Sequence, residues 1–277
     1  MKKDRMNLIL VIIFIIGLSV MLYPTVSEYW NSRTQSRAVA SYNETIESMT
    51  EADFDRMFAE AEDYNRRLMS IPMPFVNFEQ LEGYENLLDV GGTGIMGYVT
   101  IPKIRVELPI YHGTADSILQ VAAGHLQGSS LPTGGLGTHS VISAHRGLPS
   151  AQLFTHLDEL EEGDTFTITV LDRAMTYRVD QIRIVEPQEV EELQIDPMED
   201  YVTLMTCTPY GINSHRLLVR GVRTTGEETG EYIPADATQV STLLVAVALS
   251  LVFLLICLAG KLIWDKTAGR KGGRKDE

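Results

Sequence analysis

The residues best suited to chemistry in this sequence are a cysteine, a histidine and an arginine, each placed at the edge of a short β-forming run. Cys207 closes the run Asp200-Tyr-Val-Thr-Leu-Met-Thr-Cys207, His145 follows Ser140-Val-Ile-Ser-Ala144, and Arg216 opens Arg216-Leu-Leu-Val-Arg220. A thiolate is a strong nucleophile, and a nearby cation favours its formation. A histidine can protonate a leaving amine and later deprotonate an incoming one. An arginine can donate hydrogen bonds to a tetrahedral oxyanion or hold a substrate backbone. Together these parts suit acyl transfer through a thioester. Residue types alone leave a second reading open, in which the cysteine is buried and structural and the other two are surface residues.

The elements that must position these groups are mostly strands. Short β runs occupy Tyr98 to Ile104, Glu107 to Tyr111, Ser140 to Ala144, Thr165 to Leu171, Met175 to Val185, Tyr201 to Cys207 and Arg216 to Val222. Gly, Pro and Asp cluster between many of them, and one or two small helices such as Leu153 to Leu160 interrupt them. The pattern predicts an all-β barrel or sandwich. Only Thr208 to His215 separates the runs carrying Cys207 and Arg216, so antiparallel pairing would bring the two residues together. With His145 also at a strand end, the expected site is a cleft at one end of a barrel. Upstream, Ile46, Met49, Phe54, Met57, Ala61, Tyr64 and Leu68 recur at nearly 3.6-residue spacing, which predicts an amphipathic helix over Ser41 to Leu68. Ser70 to Phe78 follows with two prolines and reads as an irregular loop.

Two apolar runs bracket this region. Leu8 to Leu22 follows Lys2, Lys3 and Arg5 and fits either a retained membrane anchor or a cleaved signal. Val240 to Ala259 is uncharged and long enough to cross a bilayer, and the six lysines and arginines after it predict a cytoplasmic tail. Both basic ends then lie inside and residues 24–239 outside. That external part carries 14 Lys and Arg against 33 Asp and Glu, a net charge of −19. Within it Cys207 is the only cysteine and has no intramolecular disulfide partner, so it is a free thiol or one linked to a partner.

The whole chain has 277 residues and a net charge of −14, a balance that argues against nucleic-acid binding. Two cysteines exclude a disulfide-dense scaffold and a four-cysteine zinc site. His112, His125, His139, His145, His156 and His215 show no metal-type spacing on one helix, so no metal is expected. Gly92-Thr-Gly94-Ile-Met-Gly97 matches a dinucleotide fingerprint by letter but precedes proline-punctuated strands instead of a helix, so it reads as a turn.

The words around the three reactive residues carry a resemblance. Thr203-Leu-Met-Thr-Cys207-Thr-Pro-Tyr-Gly-Ile-Asn-Ser-His-Arg216-Leu-Leu-Val-Arg-Gly221 resembles the sortase signature TLxTC with its downstream arginine, in the form of class C, the pilin-polymerising sortases of Gram-positive bacteria. Gly94-Ile-Met-Gly-Tyr-Val-Thr-Ile-Pro-Lys-Ile, Leu108-Pro-Ile-Tyr-His-Gly-Thr114, Gly124-His-Leu-Gln-Gly-Ser-Ser-Leu-Pro132 and Ser143-Ala-His-Arg-Gly-Leu-Pro149 agree in order, over roughly Tyr64 to Arg223. The resemblance implies an all-β fold: a sortase-like eight-stranded β-barrel with short helices, an N-terminal helical and lid segment and flanking transmembrane helices. It implies Cys207 as nucleophile, His145 as general acid and base, and Arg216 as stabiliser of oxyanion and substrate. It also implies pilin subunits as partners, one bearing an LPxTG-type motif and another an acceptor lysine, and no cofactor.

Class C sortases usually carry a lid with an Asp-Pro-aromatic motif. Met73-Pro74-Phe75 matches the proline and the aromatic but not the aspartate, so the resemblance implies an apolar plug without an ionic latch, and loop filler is the alternative. In sortases the segment corresponding to Glu186 to Asp200 borders the substrate groove. Leu131-Pro-Thr-Gly134 looks like a degraded sorting signal but sits mid-domain and reads as a turn. The expected organisation is a membrane segment over 1–23, a helical segment and lid over 24–80, a catalytic barrel over 81–225, a linker over 226–239, a transmembrane helix over 240–260 and a basic tail over 261–277. Alternatives are a housekeeping-type sortase that anchors proteins to cell-wall precursor and a non-catalytic membrane-tethered β module.

Overall fold

A computed structural model describes residues 2–224 and Ser250. The chain divides into two compact units, one of Met1–Val26 with Ile233–Glu277 and one of Ser27–Tyr232. The described part of the first unit is the beginning of a 46-residue helix, α1 (Lys2–Glu47). Ile12, Ile13, Ile15 and Ile16 are all exposed, so this part of the helix is apolar on every side instead of along one stripe. Among the described residues Val11–Glu47 is long and apolar enough to cross a membrane, its most apolar 18-residue stretch having a mean hydropathy of 1.9 and no buried residue. The expected linker, the run Val240 to Ala259 (Ser250 apart) and the basic tail lie outside the described residues.

The second unit begins with the rest of α1 and α2 (Glu51–Leu68). The single helix expected over Ser41 to Leu68 is two helices, because Thr50 starts a new one. Its Oγ1 accepts the Asp53 N–H at 3.3 Å, and the Asp53 carboxylate accepts the Thr50 N–H at 3.2 Å, a reciprocal cap that ends α1 and begins α2. The predicted apolar face holds: Phe58, Ala61, Tyr64 and Leu68 are buried against the barrel. Asn65 lies on that face too, donating to the Leu131 carbonyl at 3.1 Å and accepting the Leu131 N–H at 2.7 Å. The sorting-like stretch Leu131-Pro-Thr-Gly134 is thus a turn, with Leu131 and Thr133 buried.

Eight strands follow: β1 (Ile95–Ile101), β2 (Val106–His112), β3 (Ala123–His125), β4 (Thr138–Ser143), β5 (Thr165–Val170), β6 (Arg173–Val185), β7 (Asp200–Thr208) and β8 (His215–Arg223). They close into a barrel in the order β1-β2-β3-β4-β7-β8-β6-β5. In β5 the threonines alternate with buried Phe166, Ile168 and Val170, the pattern of a strand with one face in the core. The expected helix over Leu153 to Leu160 is only a 3₁₀ turn, Leu157–Glu159, among other turns. Between α2 and β1, Pro74 starts a one-turn helix, α3 (Pro74–Asn77), inside what was expected to be irregular loop. A fourth short helix, α4 (Asp116–Leu119), precedes β3.

The strands that matter for chemistry are β4, β7 and β8. β4 and β7 pair in parallel, with Val141 opposite Thr203 and Ser143 opposite Met205. β7 and β8 pair antiparallel, with Thr203 opposite Arg220, Met205 opposite Leu218 and Cys207 opposite Arg216. Ile142, Leu204, Leu217 and Val219 point into the barrel core. Alternation puts Val141, Met205 and Leu218 on the outward face, where they form a second apolar cluster with Leu193. β4 is nonetheless buried along its whole length, since its outward residues are covered as well.

Candidate active site

The three sequence-predicted residues meet on that outward face. Cys207 is the penultimate residue of β7 and Arg216 the second of β8, directly across the ladder. His145 lies two residues beyond Ser143, as Cys207 lies two beyond Met205, so the parallel register brings it level with the cysteine. Two bonds extend the pairing past the end of β4: the Ala144 N–H donates to the Met205 carbonyl at 3.1 Å, and the Thr206 hydroxyl donates to the Ala144 carbonyl at 2.8 Å. The site is therefore near the strand ends, as expected, but on the outer wall of the barrel. The expected cleft at the barrel's end is corrected for a physical reason. Strand alternation sends Thr206 inward and Cys207 outward, and the barrel interior is already filled by side chains.

All three residues line one cavity of about 450 Å³. Its lining includes apolar Leu126, Met205 and Leu218 from the barrel, Phe75 and Phe78 from the segment before β1, and residues between Val185 and Leu193 from the segment before β7. Cys207 is half-buried, a position that shields a thiol while leaving it reachable. The Arg216 guanidinium donates to the His215 carbonyl at 3.2 Å, which steadies one end of its donor fork.

Residues that sequence reasoning did not single out support the histidine. The Asp116 carboxylate, at the start of α4, lies 3.6 Å from His145 Nε2, although it is 85% exposed and well screened. Arg146 is paired with Asp158 and reaches Thr208 Oγ1 at 3.5 Å, tying the chain after His145 to the chain after Cys207. Tyr210 lies under the same guanidinium at 5.8 Å. No alternation or spacing marks these contacts, because each partner comes from a different loop.

The lid-like words Met73-Pro74-Phe75 lie beside this cavity. Phe75 lines the cavity with Cys207 and packs on the outward apolar cluster. Met73 adopts a left-handed backbone (φ 49°) and is 69% exposed. Among the described residues no ion pair involves residues 70–78. The segment sits against Gly128, where a Cβ would fall 2.7 Å from Phe75 Cα and from the Pro74 carbonyl oxygen. Glycine is required there for that close approach and for its φ of +90°.

The comparisons with known proteins point one way. Residues 99–224 match the family description "Sortase domain". Sortase C1 from Streptococcus agalactiae is 46% identical, and the alignment covers 69% of this chain and 100% of that one with a TM-score of 0.64. The chain belongs to the sortase family. A sortase C from Streptococcus pneumoniae is likewise 46% identical, over 69% of this chain and 97% of that one, with a TM-score of 0.62. Its solved neighbours are thus class C sortases, built on the same closed eight-stranded barrel. Sortase A of Streptococcus agalactiae serotype III (strain NEM316) is 30% identical over 51% of this chain, and sortase D of Bacillus subtilis (strain 168) is 30% identical over 47%. The chain spans 57% and 64% of the length of these two curated relatives. Sortases are cysteine transpeptidases, and the half-buried cysteine faced by an arginine and level with a histidine is the equipment that such chemistry needs.

Proposed function

We propose that this chain is a membrane-anchored cysteine transpeptidase of class C type that joins pilin subunits. The observation that carries the reading is the placement of Cys207 and Arg216 opposite each other on β7 and β8 and of His145 just past the end of β4, all lining one cavity. In the proposed reaction the Cys207 sulfur attacks the threonine carbonyl of an LPxTG-type motif, and Arg216 donates to the resulting oxyanion. The threonine–glycine C–N bond breaks as His145 gives its proton to the departing amine, leaving a thioester. A lysine amine of a second subunit attacks that thioester and loses its proton to His145, and the Cys207 thiolate leaves. The product is an isopeptide bond. No redox step occurs and no cofactor is needed. The Streptococcus pneumoniae neighbour, whose structure is described as informing catalysis and pilin substrate specificity, supports pilins as the substrate class.

In this reading residues 73–75 form a lid over the cavity, and α1 anchors the enzyme with its barrel on the outer face and its basic C-terminal tail inside. The decisive experiment incubates the full chain in membranes with a pilin carrying a sorting motif. Covalent ladders and a trapped thioester are expected, and Cys207→Ala abolishes both while leaving the melting transition in place. Ladders formed by Cys207→Ala would end the covalent mechanism, and transfer to cell-wall precursor in place of a pilin lysine would move the chain to the housekeeping role.

A further inference from the structure

The segment from Glu186 to Glu199, between β6 and β7, lines the cavity with Pro187, Glu189, Val190 and Leu193. At its end the Glu199 carbonyl accepts the Gly137 N–H at 2.9 Å, but the bonds within it are short-range: the Glu189 N–H to the Glu186 carbonyl, the Leu193 N–H to Val190, and the Gln194 N–H to Glu191. Such bonds shape the segment but do not say where its middle rests on the barrel. One buried imidazole does. His139, in β4, is fully buried, and its Nδ1 lies 2.9 Å from the Gln194 carbonyl oxygen. A carbonyl only accepts, so Nδ1 carries the proton. Nε2 then accepts from the Thr203 hydroxyl at 2.7 Å, and the tautomer is set from both sides.

The neighbourhood keeps the ring in place. Tyr201 packs edge-on against it with centroids 5.5 Å apart, Arg220 stacks over Tyr201, and Asp180 pairs with Arg220 at 2.6 Å. Residue 193 follows from the anchor at 194: Leu193 is held between Val141 and Leu218 on the outward face, and it lines the cavity that holds Cys207. The segment's other side-chain tie to the strands is more exposed, a bond of 2.9 Å from half-buried Gln181 to Glu192.

We propose that His139 is a positioning residue for substrate: by holding the Gln194 carbonyl it fixes Leu193 and so sets the width of the groove beside Cys207. The proposal rests on reading that cavity as the substrate groove. It makes His139 act on binding, not on the bond-breaking step, because it touches neither reacting atoms nor the three residues that would.

Asparagine and glutamine separate its two bonds, since the asparagine amide nitrogen falls near the place of Nδ1 and that of glutamine near Nε2. In the full chain, His139→Asn keeps the bond to Gln194 and is expected to leave KM for an LPxTG peptide within about threefold of wild type. His139→Gln keeps only the Thr203 contact and is expected to raise KM about tenfold with kcat nearly unchanged. Amide hydrogen exchange should quicken across residues 186–199 in His139→Gln and stay slow in β7. Thr203→Val, which removes the other partner, serves if His139→Gln does not fold, and it should leave KM within about threefold. Equal behaviour of the Asn and Gln variants, a fall in kcat at constant KM, or a tenfold rise in KM from Thr203→Val would each overturn the assignment. If wild type does not cleave the peptide, the transpeptidase reading fails, and unchanged exchange in His139→Gln would separately overturn the anchor.

Discussion

The two walls of the Cys207 cavity are built on opposite principles. Residues 71–78 border the cavity through Phe75, with Met73 and Val76 exposed, and they are held by the half-buried ring of Phe75 and by backbone packed on Gly128. Residues 186–199 are held by a buried imidazole, an amide–carboxylate bond and the side chain of Leu193. Apolar contact is non-directional and leaves no unpaired group behind when it is broken. A buried hydrogen bond is directional, and breaking it strands a donor or an acceptor. In the proposed reading the difference suits one wall to swing aside as a lid and the other to stay and measure the substrate.

The comparison matters only if both walls enclose a working centre, and its largest test is Arg216→Lys. Lysine keeps the charge but replaces a planar donor fork with a point charge, so turnover should fall about 100-fold with little change in melting temperature. Near-normal turnover would leave the shared floor of the groove without its oxyanion partner. Next in size is Phe75→Ala. Removing a half-buried aromatic is expected to speed alkylation of Cys207 by a small thiol reagent about tenfold. Wild-type alkylation should hardly respond to salt, because no ion pair among the described residues holds the segment. Unchanged alkylation would remove the swinging wall from the comparison, and a strong salt effect in wild type would mean that charge holds it shut.

The smallest effect is one of pH, and a buried histidine of the fixed wall contributes to it. Burial lowers the His139 pKa to about 4, against opposing contributions from the Gln194 carbonyl and Asp180, and burial likewise lowers His125 to about 4. Both are neutral in the folded protein at pH 6, where an unfolded chain begins to bind protons at its histidines. Stability supplied by the neutral rings is complete above about pH 6.5 and is lost as pH falls towards 4, by up to about 1 kcal/mol per pH unit for each ring. Asp200, whose pKa is raised mainly by burial, works in the opposite sense and offsets part of the loss. Melting scans between pH 7 and 4.5 should show a decline that His139→Asn makes shallower. Exchange of amides in 186–199 should follow that decline, while alkylation gated by Phe75 should not. An equal acid response of both walls would erase the distinction between them.

Sequence and tertiary structure divided the work along physical lines. Alternation of threonines with Phe166, Ile168 and Val170 made β5 readable, and apolar spacing made the buried face of α2 readable, because periodicity is a local property. The short connection from Cys207 to Arg216 made their pairing readable too, since a hairpin places its flanking residues opposite one another. The three residues of β3, Ala123-Gly-His125, carry no alternation and were not legible as a strand, and the cap at Thr50 was overlooked inside a continuous apolar pattern. His145 was legible as a histidine that closes a β run. What brings it level with Cys207 is the parallel β4–β7 pairing, a non-local contact that no spacing encodes. Which face the site occupies was likewise decided by closure of the barrel, which fills the interior and leaves only the outer wall for a groove. The buried bond from His139 to Gln194 lies furthest from view in the sequence, because two residues 55 apart become partners only once the wall between them is built.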